Sequence, residues 1–82
     1  MRSRALLFRM QQATNGMPTS QYRLGMNYVE GTEGVKTNMA LGVYWLRKSA
    51  GQGQLEAKQA ILDLGTNAVA LELPEKNSGE DK

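Results

Sequence analysis

The chain has 82 residues, enough for one domain at most. It contains neither Cys nor His. Disulfides, thiol nucleophiles and thiolate metal sites are therefore excluded, and the usual zinc ligands and the commonest general base are missing. Net charge is only +2, but it is unevenly spread. Eight basic and four acidic side chains lie up to Leu71, against two basic and four acidic ones from Glu72 onward. Arg2, Arg4, Arg9 and Arg23 all precede the first acidic residue, Glu30. Such asymmetry favours an anionic partner, yet it falls short of the clustered Lys/Arg stripe of a dedicated nucleic-acid binder.

The apolar run Ala5-Leu6-Leu7-Phe8 is shorter than the ~7–15 residues of a signal-peptide core, and Arg9 interrupts it. No stretch approaches the ~18–20 apolar residues of a membrane span. The expectation is a cytoplasmic protein without membrane contact, secreted or periplasmic only if a leader has been removed from a longer chain.

Residues 2–14 form the first helix candidate, with Ala5, Leu6, Phe8 and Ala13 apolar and no Gly or Pro inside. Asn15-Gly16 suits a helix C-terminus because both residues tolerate the left-handed conformation. Pro18 suits a first helical turn, and Thr19-Ser20 offers a cap there. The second candidate spans 18–30, with Met17, Leu24 and Tyr28 at helical spacing. Gly25 costs that helix ~1 kcal/mol relative to Ala, so close approach of a neighbouring helix is expected at that point.

Gly31 and Gly34 mark the connection that follows, Thr37 or Asn38 can cap the next helix, and Val35 can pack back onto it as a staple does. Residues 38–51 make the strongest helix. Met39, Val43, Leu46 and Ala50 line one face, and Leu41 and Trp45 line another. A helix with two apolar faces needs two neighbours, as in a stack of helical hairpins. Gly51-Gln52-Gly53 ends it. The fourth helix begins near Leu55, with Ala57, Ile61, Leu64, Ala68 and Leu71 in one stripe, unless Gly65 stops it early. Residues 74–82 are polar and charged and predict a disordered tail after a helical module over 1–73.

Sliding the chain by 37 residues sets Ala13 on Ala50, Gly16 on Gly53, Phe8 on Trp45 and Leu24 on Ile61. A period in the high thirties is typical of helix–turn–helix solenoids. The run Gln21-Tyr22-x-Leu24-Gly25-x-x-Tyr28-x-x-Gly31, then Gly34-Val35, then Trp45-Leu46-Arg47-Lys48-Ser49-Ala50-x-Gln52-Gly53 resembles a Sel-one-like repeat, a branch of the tetratricopeptide-like repeats. Phe8 stands in place of the tryptophan in the upstream half repeat. Gly42 stands where the family usually has Ala, and Asn38 where it often has Asp; both changes weaken helix propensity or capping.

The resemblance implies an all-α fold of about four helices: a short antiparallel stack of helical hairpins, an α/α solenoid. One complete repeat lies at about 18–53 with half repeats on each side. It also implies a non-enzymatic adaptor that holds a protein or peptide partner, of a kind widespread in bacteria. In such solenoids the first helix of each hairpin lines the concave surface, which nominates Arg23, Met26, Asn27, Glu30, Lys58 and Gln59 as partner-binding residues. Because the chain begins and ends halfway through a repeat, Leu6, Leu7 and Phe8 are expected at an apolar end that self-association or a partner covers.

Trp45 is expected in the core, Tyr44 on the surface, and Tyr22 between helices. Glu56 and Asp63 form no recognisable acid/base pair, and the serines have no activating motif. The glycines fit no phosphate-binding fingerprint. No catalytic residue, metal or cofactor is expected. The alternative function is RNA binding through the basic N-terminal helices, opposed by the low net charge.

Overall fold

A computed structural model describes residues 3–65 of the chain. Over them it consists of α1 (Arg4–Thr14), α2 (Pro18–Glu30), α3 (Met39–Gly51) and α4 (Leu55–Leu64), with no strand among the described residues. The first helix begins at Arg4, not at the expected residue 2, because the extended Ser3 caps it; the tail at 74–82 lies outside the described residues, as do Ala68 and Leu71 of the fourth stripe. Gly65 does end α4 early, directly after Leu64.

Two helices begin on side-chain caps. Ser3 Oγ accepts from the Leu6 N–H at the start of α1, and Asn38 Oδ1 accepts from the Leu41 N–H at the start of α3. A cap of this kind contributes about 1 kcal/mol. The expected capping by Thr19-Ser20 does not occur. Both residues lie inside α2, whose N-cap is Met17 without a side-chain bond, because Pro18 takes the first helical position and needs no N–H acceptor.

Consecutive helices pack on one another, α2 with α3 most extensively. Asn38 N, at the start of α3, donates to Tyr28 O near the end of α2, at 2.8 Å. Ser49 Oγ, near the end of α3, donates to Pro18 O at the start of α2, at 2.7 Å. The pair is therefore antiparallel. At its centre the two backbones meet through Gly25 and Gly42. A Cβ on Gly25 would lie 2.9 Å from Gly42 O, and one on Gly42 would lie 3.0 Å from Gly25 O. Gly25 thus has the expected reason. Gly42, which by propensity alone only weakens α3, is the other half of the same contact.

The core joins Leu6 and Ala13 of α1 to Leu24 of α2 and Val35 of the loop, with Met10, Tyr28 and Trp45 packed against it. Val35 is therefore part of the core as well as a local staple. Val43, Leu46 and Ala57 bury the remaining helix faces. Leu6 is fully buried, against the expectation that it joins an exposed end, because it lies on the side of α1 that faces α2. Its neighbours Leu7 and Phe8 are 53% and 64% exposed, as expected.

The turns after α1 and α3 share one hydrogen-bond pattern, 37 residues apart. Met17 N donates to Gln12 O and Gly16 N to Ala13 O; Gln54 N donates to Ser49 O and Gly53 N to Ala50 O. Gly16 and Gly53 have φ of 99° and 94°, the left-handed conformation that such a paired C-terminal motif demands.

Candidate functional site

Helices α2 and α4 flank an open groove of about 270 Å³. From α2 come Tyr22 and Met26, one turn apart and both half-buried. From α4 come Glu56, Gln59, Ala60 and Asp63, at positions i, i+3, i+4 and i+7, which places them on one stripe. Leu64 closes its end. The floor is apolar and the rim carries two carboxylates, with no cation among the lining residues. Glu56 accepts a hydrogen bond from Gln54 Nε2 at 2.9 Å, and Asp63 accepts one from Gln59 Nε2 at 3.0 Å. Both donors are neutral amides, so these bonds orient the carboxylates without cancelling their charge.

A second cleft, about 200 Å³, lies between α1 and α2. It is lined by Ala5, Phe8, Arg9, Thr19, Ser20 and Arg23. Its character is opposite: an exposed aromatic ring beside two guanidinium groups and no carboxylate.

The six expected partner-binding residues separate into distinct places. Met26 and Gln59 line the α2–α4 groove. Arg23 is exposed but lines the α1–α2 cleft. Glu30 and Lys58 are exposed and line neither. Asn27 is buried at 8% exposure, and its side chain is committed internally. Asn27 Oδ1 accepts from Arg9 Nη1 at 2.7 Å, and Asn27 Nδ2 donates to Thr32 Oγ1 at 2.9 Å. That arrangement ties α1, α2 and the following loop together.

Tyr22, Glu56, Ala60, Asp63 and Leu64 also line the groove, outside the six expected partner-binding residues. Their signal in the sequence is the stripe of Glu56, Gln59, Ala60 and Asp63 on α4, offset from the buried Ala57 and half-buried Ile61.

At the other end of α2 a polar clasp holds three segments. Gln52 Nε2 donates to Gly16 O at 2.9 Å and to Gln21 Oε1 at 2.8 Å, and Gln21 Nε2 donates to Ala13 O at 3.1 Å. Gln21 and Ser49 are buried, and no buried side-chain polar atom among the described residues lacks a partner. On the outer side of α3, Tyr44 is half exposed, makes an edge contact with Trp45 at 5.2 Å, and carries Lys48 Nζ over its ring at 5.3 Å. Trp45 is half-buried against the core, as expected.

Among the described residues no group of three or more Asp or Glu side chains is placed to hold a metal ion. None of their helices is long and apolar enough to cross a membrane. Compared with known proteins, the chain matches no family model, no curated protein and no solved structure.

Proposed function

We propose that this chain is a non-enzymatic interaction module, a short tetratricopeptide-like stack of the Sel-one-like kind. In this reading it acts as an adaptor, and the α2–α4 groove is its binding surface. The observation that carries the reading is the groove itself, an apolar floor of Tyr22, Met26 and Ala60 under the carboxylates of Glu56 and Asp63, with no cation in its lining. At about 270 Å³ it is smaller than the ~300–1,000 Å³ of small-molecule sites and suits one large side chain of a docked segment. The matching turns at Gly16 and Gly53 support the repeat that would generate such a groove. The ligand this chemistry selects is a protein segment with a bulky apolar side chain flanked by Lys or Arg.

Peptide display on the immobilised chain tests this. Enriched sequences should pair an apolar anchor with a basic neighbour, and Glu56→Lys with Asp63→Lys should abolish the enrichment. Enrichment without a basic residue, or unaffected by the double substitution, would reject the groove as the binding surface.

A second reading, single-stranded RNA on the basic N-terminal helices, draws on exposed Phe8 beside Arg9 and Arg23. It predicts RNA affinity that falls steeply with salt and is lost in Arg23→Ala.

A further inference from the structure

The segment that the groove selects is displayed by the chain itself at its opposite end. Phe8 is 64% exposed on α1, and Leu7 beside it is 53% exposed. Arg4 lies one turn before Phe8 and is exposed, while Arg9 and Arg23 line the cleft next to the ring. Helix α1 carries two arginines and no carboxylate, whereas α4 carries Glu56, Asp63 and one lysine, Lys58. The side chains lining the two clefts are thus opposite in sign.

We propose that a second copy of this chain occupies the α2–α4 groove, inserting the Phe8 side chain with Arg4 and Arg23 toward Glu56 and Asp63. The inference rests on the groove reading above and names its ligand. One chain cannot satisfy both ends of itself. Helix α1 is held against α2 by the buried Leu6 and by the Arg9–Asn27 bond, on the far side of the consecutive stack from α4. Nor does a symmetric pairing suit the charges. Two Phe8 patches would bring arginines together, and two grooves would bring carboxylates together; like charges suppress such pairings. The contact is therefore head-to-tail, with different surfaces from each copy. A contact of that kind propagates into a filament or closes into a ring.

The test uses the full chain and two singly blocked variants: Phe8→Glu, which removes the inserting side chain, and the double variant Glu56→Lys/Asp63→Lys, which reverses the receiving rim. Sedimentation velocity over a concentration series should show the wild type growing beyond a dimer with concentration and each variant remaining monomeric. An equimolar mixture of the two variants should form a 1:1 dimer and stop there, because one intact patch meets one intact groove. Circular dichroism of each variant shows that it is folded. A wild type that stays monomeric at several hundred micromolar, or a mixture that stays monomeric while the wild type assembles, overturns the proposal. If the wild type is monomeric but still enriches basic-apolar peptides through Glu56 and Asp63, self-docking falls and the groove reading stands. If neither the copy nor any such peptide binds, both fall.

Discussion

Helix α2 has two very different flanks. Against α3 it is packed closely: glycine faces glycine, the fully buried Leu46 lies against Gly25, and Ser49 bonds across to Pro18 O. Against α4 it leaves a groove, with half-buried side chains and two carboxylates but no cation among its lining residues. The first flank is what close packing requires, since interiors tolerate neither voids nor extra atoms. The second is what binding requires, a surface whose atoms are not yet satisfied. A single helix thus separates the part of the chain that determines stability from the part available to a partner, and substitutions on the two flanks should act on different observables.

The largest effect is expected at the glycine contact. Gly25→Leu would place its Cβ 2.8 Å from Leu46 Cγ and 2.9 Å from Gly42 O, so the two backbones must separate. Overpacking of this kind costs ~1–3 kcal/mol and sometimes more. That is comparable to the ~3–5 kcal/mol a core of this size supplies. The cooperative urea transition should weaken severely or vanish. Gly25→Ala should cost less, because better helix propensity returns ~1 kcal/mol. A Gly25→Leu variant melting like the parent would show that the two flanks are not distinct in packing.

Next is Asn27, which sits on α2 but belongs to neither flank. Asn27→Ala leaves Arg9 and Thr32 without their partner, with an expected loss of ~1–3 kcal/mol in chemical denaturation. Arg23→Ala, on the exposed side of the same helix, should change stability by less than ~0.5 kcal/mol. Equal effects would remove the distinction between internal and surface polar residues of α2. Ser49→Ala should cost about 1 kcal/mol, the usual worth of one hydrogen bond, by releasing the start of α2.

These differences also mark what the sequence could tell. Helix boundaries were legible wherever punctuation was local: Pro18 opens α2, Gly31 closes it, Asn38 caps α3, and Gly65 stops α4. The close approach at Gly25 was legible because an unexplained glycine in a helix asks for a neighbour. Its partner was not, since Gly42 reads as a propensity defect until the register of α2 on α3 places it opposite Gly25. Leu6 and Asn27 were misplaced for a related reason. Adjacent apolar residues at 6, 7 and 8 point in directions 100° apart, so one can be buried while two are exposed. An Asn on a helix looks like surface until an arginine eighteen residues away proves to be its partner. The acidic rim was legible as a stripe but carries meaning only once Tyr22 and Met26 stand across from it.

The smallest effect on stability is expected from Asp63→Lys, one half of the Glu56→Lys/Asp63→Lys pair and the sharpest probe of the second flank. Both carboxylates are exposed, and each accepts a hydrogen bond from a neighbouring neutral amide. Replacing Asp63 should shift unfolding by no more than ~0.5 kcal/mol. Glu56 is also the acidic residue of the first turn of α4, where a negative charge is favourable by ~0.3–1 kcal/mol, so it should account for most of any loss. Separating the pair follows from that: Asp63→Lys alone should be nearly silent in denaturation while still reversing half of the rim. If Asp63→Lys changes capture of basic-apolar segments with no change in the urea midpoint, the groove is a recognition surface set apart from the packed flank. If it moves both together, the carboxylate is part of the fold, and the division of α2 into two flanks does not hold.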